Sequence, residues 1–90
     1  MPQAVADPEA LKRFASQLQN FTQTIQTGQT VLTAQLNALG DTWRDQEHML
    51  FVQEFEQTIA VLEKFLETAD QHIPFLLRKA ERIEEYLQQR

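Results

Sequence analysis

The sequence predicts an all-α protein, an antiparallel helical hairpin that dimerises into a four-helix bundle. Two long stretches carry apolar residues at spacings that alternate between three and four, a pattern typical of helices packed along a neighbour. Between them lie Gly40, Asp41 and Asp45, residue types that end one helix and begin the next. Two long helices joined by so short a turn lie antiparallel.

The length of 90 residues allows one domain, so residues 1–90 are expected to form a single helical hairpin. We expect a first helix over residues 8–39, a turn over 40–44 and a second helix over 45–88. Few glycines and prolines interrupt the chain, and this favours long continuous elements.

The predicted helix ends carry capping residues. Asp7 and Asp45 are the expected N-terminal caps, and Pro8 suits the first helical position. Pro74 lies inside the second helix but off its apolar seam. Because the apolar pattern resumes beyond this proline, we expect a kinked helix that continues.

The first helix combines a regular apolar seam with an uncharged polar face. Its seam consists of Leu11, Phe14, Leu18, Phe21, Ile25, Gly28, Leu32, Leu36 and Leu39. No charged residue occurs between Arg13 and Asp41, and the polar positions there are mostly Gln and Thr. Uncharged polar groups are cheaper to desolvate than charges, so this face either stays exposed to solvent or meets a partner. Both interpretations remain open from the sequence.

Gly28 is the seam position that has no side chain. If the turn centres near Trp43, antiparallel pairing places Gly28 near Phe55. A glycine there makes room for a large ring, at a cost in helix propensity of about 1 kcal/mol. The sequence therefore predicts that Gly28 packs against a ring of the second helix and that Gly28→Leu destabilises the fold.

The second helix carries the most regular pattern of the chain, a sustained heptad repeat. Its seam consists of His48, Val52, Phe55, Ile59, Leu62, Leu66, Ala69, Ile73, Leu76, Ala80, Ile83 and Leu87. Phe51 and Phe65 lie beside this seam and widen it. If the residues of the two helices pair one for one back from the turn, the first helix ends opposite a position near Leu76. The following residues up to Leu87 are therefore predicted to overhang the hairpin without an intrachain partner.

The wide stripe and the overhang predict that a second hairpin completes the core, because two helices bury only one narrow seam. The simplest partner is another copy of the chain in a two-fold homodimer, and a heterodimer is the alternative. The residues expected at this interface are Phe14, Phe21, Gly28, Phe51, Phe55, Phe65, Leu77, Ile83 and Tyr86.

Composition argues against several function classes. The net charge is −5 without a basic stripe, which disfavours nucleic-acid binding. No apolar run approaches the roughly 20 residues of a membrane span. The basic residues Arg78, Lys79 and Arg82 are interleaved with glutamates, so they are expected to form a solvated helix face rather than a membrane-binding surface.

No catalytic or cofactor site is expected. Ser16 is the sole serine and lies far from either histidine in the sequence, so a Ser/His/Asp set is not expected. His48 and Asp45 could share a metal, but the first helix offers no inward carboxylate to complete it. The protein is therefore expected to be non-enzymatic and to bind neither a metal nor a cofactor.

The segment Trp43-Arg44-Asp45 carries a resemblance. A Trp-x-Gly or Trp-x-Asp turn in a helical hairpin of about this length, followed by aromatic residues such as Phe51 and Phe55, resembles the WXG-motif family. These are small proteins related to the early secreted antigens of bacterial type VII secretion systems. The resemblance implies Trp43, Asp45 and Gly40 as the turn motif and a dimeric four-helix bundle with the tryptophan turns at opposite ends.

The resemblance also implies a secreted effector or a co-exported partner of a larger effector. Two positions depart from the family pattern. The third motif position is Asp45 rather than the commoner glycine, which a capping role explains. The family's Tyr followed four residues later by an acidic residue is also missing, since Tyr86 is followed at that spacing by Arg90. Export is then open or is assigned to a partner. The N-terminus has no basic region and no apolar core, so the protein is expected to be secreted without a cleaved signal peptide or to be cytoplasmic.

The primary functional prediction is therefore a non-enzymatic WXG-type protein that acts through helix–helix interaction with the secretion machinery or a larger effector. The alternative is an intracellular adaptor or chaperone-like subunit, whose uncharged first-helix face and C-terminal overhang would hold a larger protein. A membrane-active hairpin is disfavoured by the acidic charge.

Overall fold

A computed structural model describes residues 6–89 as two helices. Helix α1 spans Pro8–Leu39 and helix α2 spans Gln46–Gln88. They pack against each other over their length in a rod of 69 × 17 × 16 Å, and no strand occurs among these residues. The predicted all-α hairpin is confirmed. The predicted domain limits at 1 and 90 lie outside the described residues, as does the departure from the family pattern at Arg90.

Both helices begin at the predicted caps. The Asp7 carboxylate accepts a hydrogen bond of 3.0 Å from the backbone N–H of Glu9, and Pro8 occupies the first turn. The Asp45 carboxylate accepts one of 3.0 Å from the backbone N–H of His48. Each bond satisfies an N–H that has no partner inside its own helix. Helix α2 runs through Pro74 without a break.

The predicted seam of α2 faces α1. All of its positions except Leu87 are buried or half-buried. The deepest are Leu66, Ala69 and Ala80. The heptad pattern of α2 therefore identified the contact face of this helix correctly.

The predicted seam of α1 is only half right. The buried or half-buried positions of α1 are Pro8, Leu11, Lys12, Ala15, Leu18, Thr22, Ile25, Gln29 and Leu36. Phe14 and Phe21 were expected to face α2, but each is 55% exposed. Ala15 and Thr22 take their place because small side chains allow the two helix backbones to approach closely, and the Thr22 hydroxyl donates to the Gln19 carbonyl at 2.8 Å.

Gly28 does not pack against Phe55. It is exposed, and a Cβ added to it would meet nothing within 4 Å. Phe55 instead lies beside Thr33 and Leu36. These residues are closer to the turn than the part of α1 that one-for-one pairing back from the turn would place opposite Phe55. Within the hairpin, no contact with a ring of α2 explains this glycine, and the expected loss of stability in Gly28→Leu has no basis in the single chain.

The predicted overhang is also wrong, because the register of α2 against α1 differs from one-for-one pairing back from the turn. Ala80 is 0% exposed and Ile83 is half-buried. The Lys12 ammonium lies 2.6 Å from the Glu84 carboxylate, and this hydrogen bond raises the pKa of Lys12 above its ordinary value of 10.5. Residues 40–45 carry the chain past the end of α1 before α2 begins, so later residues of α2 reach the first turns of α1.

The close contact at Ala80 gives a stability prediction. Lys12 of α1 and Glu84 of α2 are in contact. Ala15 and Ala80 each lie about one helical turn from this pair, towards the middle of the hairpin, so they lie near each other. We expect Ala80→Leu to lower the free energy of unfolding by about 1–3 kcal/mol, because the added volume would push the helices apart. Chemical denaturation followed by circular dichroism measures this change.

The matched control is Ala60→Leu, since Ala60 lies exposed on the same helix. We expect its unfolding free energy to stay within about 0.5 kcal/mol of the wild-type value. Equal effects of the two substitutions would contradict the close approach of the helices at Ala80.

Candidate partner-binding surfaces and the tryptophan turn

Gly40 ends α1 in a right-handed conformation, with φ −62° and ψ −15°. Its N–H donates to the carbonyls of Leu36 and Asn37, both at 3.2 Å. The left-handed conformation that often selects glycine at a helix C-terminus is therefore not the reason for this residue. An added Cβ would lie 3.3 Å from the Asn37 carbonyl oxygen and 3.7 Å from the His48 ring. Glycine here permits close approach of the two helices.

Trp43 lies over the start of α2. Its backbone N–H donates to the Leu39 carbonyl at 3.0 Å, and its half-buried ring centre lies 5.0 Å from that of His48 and 6.0 Å from that of Phe51. Phe51 in turn stacks on Phe55 at 6.2 Å. With these contacts Trp43 closes the turn end of the hairpin. His48 is half-buried against this ring, and its Nε2 atom makes no hydrogen bond to the described residues.

Arg44 is a residue of the turn that the sequence reasoning missed. Its Nε atom donates to the Gly40 carbonyl at 2.8 Å. Carbonyls at a helix C-terminus lack intrahelical partners, and a basic side chain there also meets the negative end of the helix dipole. An arginine placed just beyond the end of a helix was the signal that could have indicated this role.

The aromatic face is the side of the hairpin where the exposed rings of both helices meet. Phe21 and Phe65 contact edge to face, with ring centres 6.1 Å apart. Phe14, Phe65 and Phe75 line one apolar groove of about 420 Å³, together with Leu18 and His72. The aromatic face consists of Phe14, Phe21 and Gly28 on α1 and Phe51, Val61, Phe65 and Phe75 on α2.

The acidic face lies on the opposite side of the seam. Glu56 and Glu63 each follow a seam residue by one position, whereas Phe51 and Phe65 each precede one. Since successive helical residues point about 100° apart, these two sets flank the seam on opposite sides. Glu56, Glu63 and Glu67 line a groove of about 580 Å³. The hairpin therefore has one apolar long face and one acidic long face.

The remaining predicted interface residues do not share one surface. Phe55 and Ile83 are half-buried in the seam between the helices. Leu77 is exposed, but it follows seam residue Leu76 by one position and so lies on the side of the acidic face. Tyr86 is exposed in the same heptad row as Phe51 and Phe65, near the end of α2.

Two further features concern chemistry that the chain could support. Within residues 6–89 no group of three or more His, Cys, Asp and Glu side chains is arranged to hold a metal ion. In the same range no helix is long and apolar enough to cross a membrane. The surfaces that stand out are the aromatic face, the acidic face and the tryptophan turn.

Comparison with known families decides what this arrangement is. The WXG100 family, described as proteins of 100 residues with WXG, matches residues 4–87. The chain belongs to the WXG100 family. No curated protein and no solved structure matches it with significance. In this WXG100 protein the motif tryptophan, Trp43, lies over the first turns of α2, and Asp45 at the third motif position caps α2.

The two aspartates of the turn give a matched test of capping. Asp45 accepts the His48 N–H, whereas the Asp41 side chain makes no hydrogen bond to the described residues. We expect Asp45→Ala to lower the free energy of unfolding by about 1 kcal/mol and Asp41→Ala to change it by less than about 0.5 kcal/mol. Urea denaturation of both variants measures the difference. A larger loss for Asp41→Ala would contradict the assignment of Asp45 as the cap.

Proposed function

We propose that this WXG100 protein is a non-enzymatic component of type VII secretion that works by docking its aromatic face against another helical hairpin, giving a four-helix bundle. The observation that carries the proposal is the exposed aromatic face itself. Phe14, Phe21 and Phe75 are each more than half exposed on one side of the hairpin. Large contiguous apolar patches of this kind mark interaction sites in soluble proteins.

The hairpin has too small a core to stand alone. Among residues 6–89 the buried positions are Ala15, Thr22, Leu66, Ala69 and Ala80, and no large side chain there is fully buried. A stable domain needs two apolar layers packed together. A second hairpin on the aromatic face would supply the missing layer.

The dimensions of the hairpin suit such a partner. The rod measures 69 Å by 17 Å along one face, which leaves room for the roughly 800 Å² per partner that stable complexes bury. The first helix contributes no charged residue between Arg13 and Asp41. Burial of this stretch against a partner would therefore avoid the desolvation cost of charged groups.

The WXG100 family fits a small protein associated with type VII secretion, exported without a cleaved signal peptide. We propose that this chain is either a secreted substrate or the co-exported partner of a larger effector. In the second case the effector would carry the export signal. The bundle formed through the aromatic face is common to both roles.

The intracellular adaptor remains the alternative function. The sequence prediction of an adaptor rested on the uncharged face of α1 and on a C-terminal overhang. The overhang is not present up to Glu84, because Ala80 is buried and Lys12 pairs with Glu84. The uncharged face supports both functions equally, so location of the protein separates them.

Assembly through the aromatic face is testable with one charge. We expect Phe75→Glu to shift the mass measured by light scattering from that of a complex towards that of a single chain, because the carboxylate would be desolvated at the interface. The control is Gln71→Glu, four residues away and exposed, which precedes a seam residue by two positions and so lies on the outer side of α2. We expect it to leave the mass unchanged.

A wild-type protein that is a stable, cooperatively folded monomer, alone and with co-expressed family members of the same host, would overturn the bundle. Phe75→Glu without effect on a wild-type complex would move the interface to another face.

Secretion is testable in the host. We expect the protein in the culture medium of the wild-type strain and its loss from the medium when the ATPase of the secretion system is deleted. A cytoplasmic enzyme measured in the same samples controls for lysis. Retention of the protein inside both strains would support the adaptor instead.

A further inference from the structure

A groove with an apolar floor runs along the acidic face, on the side of the seam away from the aromatic face. Its floor consists of Leu36 on α1 and Val52, Phe55 and Ile59 on α2, all of them half-buried between the helices. The space above this floor measures about 580 Å³. The groove therefore offers apolar surface to a partner without any use of the aromatic face.

The two walls of this groove differ in charge. The α2 wall carries three exposed carboxylates, those of Glu56, Glu63 and Glu67. Lys64 lies beside them but forms no ion pair with any of the three among the described residues. The α1 wall is uncharged and carries the side chains of Thr33 and Asn37. One wall is therefore negative overall, and the other neither repels nor neutralises a charged ligand.

The carboxylates of the groove have no partner in the hairpin. The ion pairs formed among residues 6–89 are those of Lys12 with Glu9 and with Glu84. Glu63 and Glu67 are four residues apart on one helix, a spacing at which like charges repel each other. A cationic ligand in the groove would relieve this repulsion, which the hairpin alone retains.

We infer that this groove binds a basic amphipathic helix of another protein. The apolar stripe of that helix lies on the groove floor, and its arginines or lysines meet the carboxylates of the α2 wall. An amphipathic helix laid into an apolar groove is a recurrent mode of peptide recognition, and here the charge of the wall selects a basic one. The inference goes beyond the proposed bundle and does not depend on it, because the aromatic face lies on the opposite flank of α2.

The spacing of the carboxylates selects a helical ligand over an extended one. Glu56 and Glu63 lie about 10 Å apart along α2, and Glu63 and Glu67 lie about 6 Å apart. On a helical ligand, residues seven and four positions apart have the same separations and point to one side. A strand advances about 3.3 Å per residue, so the longer step spans three of its residues, whose end side chains point to opposite faces. An extended peptide therefore fails to meet all three carboxylates.

A designed peptide tests this inference. The probe is a fluorescently labelled peptide of about 18 residues, long enough to form a helix, with a stripe of leucines and four arginines spaced four, three and four residues apart. This spacing matches the three carboxylates in either direction of the peptide. We expect saturable binding at low salt, measured by fluorescence anisotropy. The affinity is expected to fall as salt is added, because exposed charges are then screened.

Two double variants with the same change in net charge separate the groove from the overall acidity of the chain. We expect Glu56→Gln with Glu63→Gln to raise the dissociation constant of the peptide about fivefold or more, since two ion pairs are lost. The control is Glu54→Gln with Glu85→Gln, which removes two exposed carboxylates of α2 that lie outside the groove. We expect this control to change the dissociation constant less than about twofold.

Three control peptides change one property of the ligand each. The arginines are replaced by glutamines, the leucines are replaced by glutamines, or one central residue is replaced by proline. We expect each change to weaken binding about fivefold or more, because the ligand loses its charge, its apolar stripe or its helix.

The outcomes keep this inference separate from the proposed function. Equal effects of the two double variants would overturn the groove as the binding site, and equal binding of the proline peptide would overturn a helical ligand. Absence of peptide binding at low salt would overturn the inference as a whole. Phe75→Glu, which is expected to disrupt the proposed bundle, is expected to leave peptide binding unchanged. Failure of the bundle and failure of the groove are therefore distinguishable.

Discussion

The limited contact between two helices is the constraint on which the rest of this structure depends. A helix pair shares one narrow seam, and here small residues such as Ala15, Ala69 and Ala80 occupy its most buried positions. Small side chains allow close packing, but they remove little apolar area from water. Beside these small residues the helices lie too close for a phenyl ring, whereas Phe55, nearer the turn, is half-buried in the seam. The other phenylalanines lie outside the pair, and this is why the hairpin presents an apolar surface.

The arrangement of charge follows from the same constraint. Apolar side chains that cannot enter the seam gather on one flank of α2, and the acidic residues Glu56, Glu63 and Glu67 occupy the other. Within α1, the long uncharged stretch borders the rings. In the bundle that we propose, the hairpin would be one layer of a larger assembly.

The turn, by contrast, depends on local interactions. Asp45 caps α2, Arg44 donates to the carbonyl of Gly40 at the end of α1, and Trp43 covers His48 and Phe51, all within a few residues of one another along the chain. All of these contacts are made within the single chain. The WXG motif thus has a structural reason in this protein, and its aromatic ring remains half-buried beside the end of the aromatic face.

The sequence by itself determined the two helices, their caps and the contact face of α2, because capping and helical periodicity are local properties of the chain. It also identified the family through Trp43 and its surroundings. Only the tertiary structure decided which side of α1 meets α2, since the apolar stripe of α1 is wide enough for either Phe14 or Ala15 to face inward. It also decided the register, which placed Ala80 and Glu84 against α1 and left Gly28 open. Register and rotation depend on how closely two backbones approach, and that distance is set by the fit of side chains from both helices rather than by the pattern of either one.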